Sequence, residues 1–139
     1  MITLTVLLAG ALVQAVVPPV RSLDRGAVSE VSTERQMVAR DADGWAVTWQ
    51  PVAHGRPQPS VDFSREMVVG VFLGRRPTAG FSVEITGYRV NGDDVVVLYR
   101  EAAPSRDAIT AQMLTSPYHL VALPRRAGKV TFEKLKAEK

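Results

Sequence analysis

The spacing of apolar residues changes at about residue 80, and this change organises the sequence. Residues 67–73 (MVVGVFL) are an unbroken apolar run of strand length, which predicts a strand buried on both faces. Beyond this run Phe81, Val83 and Ile85 alternate with polar residues, which predicts a neighbouring strand with one solvated face. The segment between them, residues 74–80, has a glycine at each end, one proline and two arginines. It predicts a rigid polar turn between two adjacent strands.

Shorter apolar segments predict the other strands of a β-rich domain. They are residues 23–31, 35–40, 95–99, 108–114, 118–123 and 130–133. Asn91 and Gly92, followed by two aspartates, predict a hairpin turn between two of these strands. The apolar alternation slips by one residue beside Gly87, which predicts a β-bulge there.

One helix is predicted near Asp43–Gln50. Acidic residues precede it as capping candidates, and Trp45 and Trp49 lie four residues apart, on one helical face. Pro51 limits how far the helix continues. We interpret the tryptophans as the side that docks on a sheet, with an exposed stacking platform as the alternative. The predicted fold is mainly β (α+β): a single antiparallel β-sandwich-like or curved-sheet domain over residues 23–136, with one packed helix.

The N-terminal residues 1–17 predict a signal peptide. They are apolar, contain small residues at cleavage-site positions, and precede two prolines. No Lys or Arg comes before the apolar run, so an uncleaved membrane anchor and a misplaced start codon are the alternatives. We therefore expect an exported protein (periplasmic, cell-envelope or extracellular), or one that is anchored in the membrane by its N-terminus.

Composition narrows the possible functions. The chain has 139 residues, 46% of them apolar, and no cysteine, which excludes disulfides, thiolate catalysis and cysteine-ligated zinc. The net charge is +3. Six basic residues and two glutamates from residue 125 onward place +4 in the C-terminal tail, and −1 in the rest. A solvated terminal strand explains this tail, so we predict no nucleic-acid partner.

The sequence carries little that indicates catalysis. It has no Gly-x-Ser-x-Gly motif, and its two histidines, His54 and His119, lie in no recognisable motif. The adjacent Asp93 and Asp94 fit the needs of their turn. We therefore predict no enzyme activity, no metal and no cofactor. A small hydrolase built around His119 or His54 remains an alternative.

Several motifs resemble a known family. Residues 61–64 (VDFS), 67–69 (MVV), 74–81 (GRRPTAGF) and 116–118 (SPY) resemble the C-terminal domain of PrcB-like protease-complex subunits. The family pattern is roughly V-D-F, an apolar strand, G-x-R-P-T-G-G-Y and a later T-x-P-Y. The resemblance extends from about Leu23 to Pro124. In this chain Ala79 replaces a glycine and Phe81 replaces the tyrosine of that pattern.

The resemblance implies an exported, non-catalytic subunit that binds and stabilises or modulates a protease, which is subtilisin-like in the type case. The predicted partner-binding loop consists of Gly74, Arg75, Arg76, Pro77, Thr78, Ala79, Gly80 and Phe81. A rigid loop loses little entropy on binding, and its arginines are suited to carboxylates on a partner.

Other functions remain open for this loop. Residues 76–80 share a proline, a threonine and the last glycine with the Asn-Pro-Thr-Thr-Gly loop of chagasin-type protease inhibitors. A protease inhibitor is therefore an alternative, and an envelope structural protein without a protease partner is another. The same three residues also suit a tight connection between strands that has no binding role.

Overall fold

The computed structural model describes residues 20–137, which form two β-sheets and one helix. The predicted signal peptide lies outside the described residues. The elements are β1 (Arg21–Gly26), β2 (Arg35–Ala39), α1 (Ala42–Ala53), β3 (Glu66–Phe72), β4 (Ser82–Asn91), β5 (Asp94–Ala102), β6 (Tyr118–Pro124) and β7 (Val130–Lys134). This confirms the predicted mainly β fold with one packed helix. Between residues 20 and 137 no helix is long and apolar enough to cross a membrane.

The two sheets face each other across the main core. The first is antiparallel with strand order β1-β6-β3-β2, and the second has order β4-β5-β7, with β7 parallel to β5. Along β3, Met67 and Val69 face the second sheet, whereas Val68 and Phe72 pack with α1 on the opposite side. The uninterrupted apolar run of β3 is therefore explained by a strand covered on both faces.

The prediction that residues 74–80 connect two adjacent strands of one sheet is wrong. Strands β3 and β4 belong to different sheets, so this segment crosses from one sheet to the other. The physical reason is that β2 and β6 already occupy both hydrogen-bonding edges of β3. No edge remains to which β4 can pair.

Three element predictions also differ from the structure. The predicted strand at residues 108–114 is a loop, because β1 and β3 occupy both edges of β6, the strand that follows it. β1 begins and ends earlier than residues 23–31. α1 runs past Pro51 and ends before His54, whose positive φ of 45° terminates the helix.

The helix docks through its tryptophans, as predicted. Asp41 caps the N-terminus, and its side chain accepts a hydrogen bond of 2.7 Å from the backbone N–H of Gly44. Trp45 and Trp49 are both buried, with ring centroids 5.7 Å apart. The indole N–H of Trp45 donates to the carbonyl of Pro59 at 2.9 Å, so the polar atom of this buried ring is satisfied.

The predicted hairpin and bulge are both confirmed in the second sheet. Asn91 pairs with Asp94 across the turn between β4 and β5, and Gly92 adopts the positive φ of 62° that such turns need. The register of this pair shifts between Ile85 and Gly87. The bulge lies one residue before the glycine that marked it in the sequence.

Candidate protein-binding site

The predicted partner-binding loop starts at a glycine that the backbone conformation requires. Gly74 is buried and has a φ of 76°. A Cβ atom at this position would lie 2.7 Å from the backbone nitrogen of Glu34 and 2.8 Å from the carbonyl carbon of Thr33. The next residue, Arg75, donates its backbone N–H to the carbonyl of Ser32 at 3.0 Å. The start of the loop is thus held against the chain leading into β2.

The loop is held on its other side by the segment 103–117. Arg76 and Thr115 exchange two backbone hydrogen bonds of 2.7 and 3.0 Å and form an isolated antiparallel bridge. Ala79 donates its N–H to the carbonyl of Ala111 at 3.1 Å. The loop is therefore ordered by a second loop rather than by its own strands. This differs from a free hairpin tip.

Exposure varies along the rest of the loop. Pro77 and Gly80 are exposed, whereas Thr78, Ala79 and Phe81 are half-buried. Together with Arg75, the proline and the second glycine are therefore the solvent-exposed residues of the loop.

The two arginines of the loop differ in their roles. Arg76 bonds to Glu101 through both Nε (2.9 Å) and Nη2 (2.8 Å), and its Nη1 donates to the carbonyl of Leu73 at 2.9 Å. The side chains of Arg76 and Glu101 are only 23% and 12% exposed. Burial alone raises the pKa of Glu101. Hydrogen bonds from Lys134 and Arg76 outweigh this effect and hold the pKa below its usual value. The Arg76 side chain is therefore a structural anchor.

Arg75, by contrast, is available for binding. It is exposed, and among residues 20–137 its guanidinium group forms no hydrogen bond or ion pair. Its backbone is fixed to Ser32 while its side chain remains unpaired. Of the two predicted carboxylate-binding arginines, only this one has an unpaired guanidinium group among residues 20–137.

Because Arg76 is paired and Arg75 is not, substitutions at the two positions should lower the free energy of unfolding by different amounts. We expect Arg76→Gln to lower the free energy of unfolding by about 2 kcal/mol, because it removes a mostly buried ion pair while Lys134 still serves Glu101. Arg75→Gln makes the same change in charge on an exposed, unpaired side chain and is expected to alter stability by less than about 0.5 kcal/mol. Urea denaturation of both variants measures this, and equal losses would contradict the assignment.

A cavity of about 270 Å³ lies beside Arg75. Its walls are formed by residues 28–32 and by residues 114–116. Two large apolar side chains at this cavity are exposed, Val28 by 46% and Leu114 by 61%. This cavity therefore combines a concave shape with two exposed apolar side chains.

A pair of serines joins the two walls of the cavity. Ser116 Oγ accepts the backbone N–H of Ser29 at 2.7 Å and lies 2.6 Å from the Ser29 carbonyl, to which it donates. The backbone N–H of Ser116 also donates to the carbonyl of Ala27 at 2.8 Å. Sequence reasoning missed this cavity because it assigned both walls to strands. The only signal was Ser116, within the SPY motif.

The tyrosine of that motif holds the helix on the first sheet. Tyr118 donates its hydroxyl to Asp24 at 2.6 Å, and Arg56 binds the same carboxylate through both Nη atoms at 3.0 and 2.8 Å. The Arg56 guanidinium also lies 5.2 Å from the ring centroid of Trp49. Although burial alone raises the pKa of Asp24, the hydrogen bonds from Arg56 and Tyr118 lower it below its usual value. This cluster connects β1, β6 and the end of α1.

His119 is buried and supports the sheet–sheet contact. Its Nδ1 accepts the backbone N–H of Ile85 at 2.8 Å, so the ring proton lies on Nε2, which is 2.9 Å from the Ser22 hydroxyl. Burial, together with the charge of Arg25, lowers the pKa of His119 to about 4. The neutral ring therefore supplies an acceptor to the outer edge of β4.

This geometry bears on the hydrolase alternative. A general base must accept a proton from the serine hydroxyl. In His119, however, Nε2 donates to Ser22, and Nδ1 already accepts the backbone N–H of Ile85. His54 is exposed at the end of α1. Within residues 20–137, no three His, Asp or Glu side chains come together in a way that could hold a metal ion.

The comparison with protein families identifies the region that contains these features. Residues 67–124 match the family described as PrcB C-terminal. No curated protein and no solved structure matches the chain. The matched segment runs from β3 to the end of β6 and includes the loop, the segment 103–117 and the SPY motif. The match covers 58 of the 139 residues and shows that this region of the chain is similar to the PrcB C-terminal family.

Proposed function

We propose that this protein is an exported, non-catalytic subunit that binds a protease and stabilises or modulates it. The family match carries the proposal, since the family is named for a subunit associated with a protease complex. A subtilisin-like partner is proposed from the resemblance of the sequence motifs.

The geometry of residues 74–81 supports a binding role. Arg75 offers an unpaired positive charge from a backbone held against Ser32, and the exposed Val28 and Leu114 lie at the same cavity. A surface ordered before binding loses less conformational entropy in the complex. The arrangement of His119 argues in the same direction, because its hydrogen bonds do not suit a general base.

Export is proposed from the apolar residues 1–17. N-terminal sequencing of the secreted protein tests it: cleavage near Ala15 is the expected result, and a mature chain beginning at Met1 would contradict cleavage.

The protease proposal is tested by mixing the purified chain with secreted subtilisin-like proteases from the same cell. We expect the protein to co-purify with one of them and to prolong its active lifetime, and Arg75→Gln to weaken both effects. Arg106→Gln is the matched control, since it changes an exposed arginine that does not line the cavity. Failure to bind any such protease, or binding that changes neither its activity nor its lifetime, would overturn the proposal.

The same assay separates stabilisation from inhibition. A stabilising subunit leaves the initial rate of peptide cleavage unchanged and slows its decay. An inhibitor lowers the initial rate in proportion to the complex formed. The inhibitor alternative is favoured only by the likeness of residues 76–80 to an inhibitor loop. In the structure this loop lies against the segment 103–117.

A further inference from the structure

We infer that the cavity beside Arg75 binds an extended, acidic peptide segment of the partner, which pairs with the backbone at Leu114. The inference rests on the proposed function, because it specifies what the protein-binding surface recognises. Three features support it: unpaired backbone groups, exposed apolar side chains and an unpaired arginine.

The backbone feature follows from the bridge between Arg76 and Thr115. These residues exchange both hydrogen bonds, so the N–H and C=O groups of Thr115 point toward the loop. In an extended chain the neighbouring residues point the opposite way, and the N–H of Ser116 does so when it bonds to Ala27. The planar peptide between Leu114 and Thr115 directs the C=O of Leu114 the same way, and within residues 20–137 neither this C=O nor the Leu114 N–H has a hydrogen-bond partner. The backbone pairing between Ala27 and Ser116 therefore does not continue to Leu114, and the cavity lies at this point.

The side chains on either side suit an extended peptide. Val28 and Leu114 both line the cavity and are 46% and 61% exposed. When a peptide adds to a strand edge, its main chain supplies hydrogen bonds and its alternate side chains enter pockets. Apolar side chains of the segment would cover these two exposed residues.

Charge selects an acidic segment. Arg75 lines the cavity and has no counter-ion among the described residues, while its planar guanidinium is suited to a carboxylate. Glu30 also lines the cavity but forms no ion pair with Arg75. Because Glu30 would repel a second acid, the arrangement favours a single carboxylate placed near Arg75.

The experiment is selection from a phage-displayed library of random dodecapeptides on the full chain. We expect the selected peptides to share one Asp or Glu flanked by Val, Ile or Leu. A synthetic peptide of the consensus sequence should bind Arg75→Gln about tenfold more weakly than the native protein, as loss of a charged hydrogen bond predicts. The Glu→Gln form of that peptide should lose affinity for the native protein to a similar extent.

Controls address charge and backbone pairing separately. Arg106→Gln should leave the affinity unchanged, since Arg106 is exposed but does not line the cavity. Leu114→Pro removes an N–H that has no intramolecular partner and should weaken binding about fivefold more than Leu114→Ala, which removes the exposed side chain but keeps the N–H. Methylation of alternate peptide nitrogens makes the corresponding test without altering the protein. Selection of no peptides, of peptides without an acid, or equal binding by Arg75→Gln would each overturn the inference.

The outcome is independent of the protease test. Acid-dependent peptide binding without any effect on a protease would support the cavity assignment and remove the protease proposal. A protease stabilised equally by native protein and Arg75→Gln, with no acidic peptides selected, would keep the proposed function and overturn this inference.

Discussion

Gly74→Ala should lower the free energy of unfolding by about 3 kcal/mol. Two physical causes add together. The φ of 76° is strained for any residue with a Cβ, and that Cβ would lie within 3 Å of the backbone of Thr33 and Glu34. Backbone atoms leading into β2 cannot move aside as the end of a flexible side chain can. Guanidinium or urea denaturation measures the loss, and we expect the backbone of residues 74–81 to be displaced in the variant.

Gly92→Ala is the matched control for this prediction. Gly92 also has a positive φ, of 62°, but a Cβ there would meet nothing within 4 Å. The same substitution therefore tests backbone strain without the collision, and its expected cost is about 1 kcal/mol. If the two variants lost equal stability, the close approach at Gly74 would not be important.

Acidification from pH 7 to pH 4 should lower the free energy of unfolding by about 3 kcal/mol through protonation of His119. The pKa of this histidine is about 4 in the folded protein, against about 6.5 in an unfolded chain. The unfolded state therefore binds the proton first. The contribution of His119 is fully present above about pH 6.5 and is lost as the pH falls toward 4. Denaturation midpoints measured across this range test the prediction.

His119→Asn separates this histidine from the acidic groups. The asparagine side-chain oxygen can accept the N–H of Ile85 in place of Nδ1, but it does not titrate. We expect the variant to be less stable at pH 7, since the contact with Ser22 is lost, and to show a flatter pH dependence between 6.5 and 4. The same slope in both proteins would show that His119 is not the group responsible.

The candidate site was only partly predictable from sequence. Glycine and proline marked residues 74–81 as an ordered loop, because both restrict which backbone conformations the chain adopts. The sequence alone gave Arg75 and Arg76 equal weight. Only the position of Glu101, 25 residues beyond Arg76, distinguishes the structural arginine from the available one. Whether the loop binds a partner remains a prediction.

The sequence by itself determined the local structure of this protein. The apolar run of β3, the Trp45 and Trp49 spacing and the Asn91-Gly92 turn each depend on neighbours along the chain, and each was predicted correctly. Only the tertiary structure decided which strands pair. The edges of β3 are taken by β2 and β6, strands distant in sequence, so β4 joins the other sheet and residues 74–81 bridge the two. The cavity beside Arg75 arises from the same long-range pairing, because its walls are 82 or more residues apart in the chain.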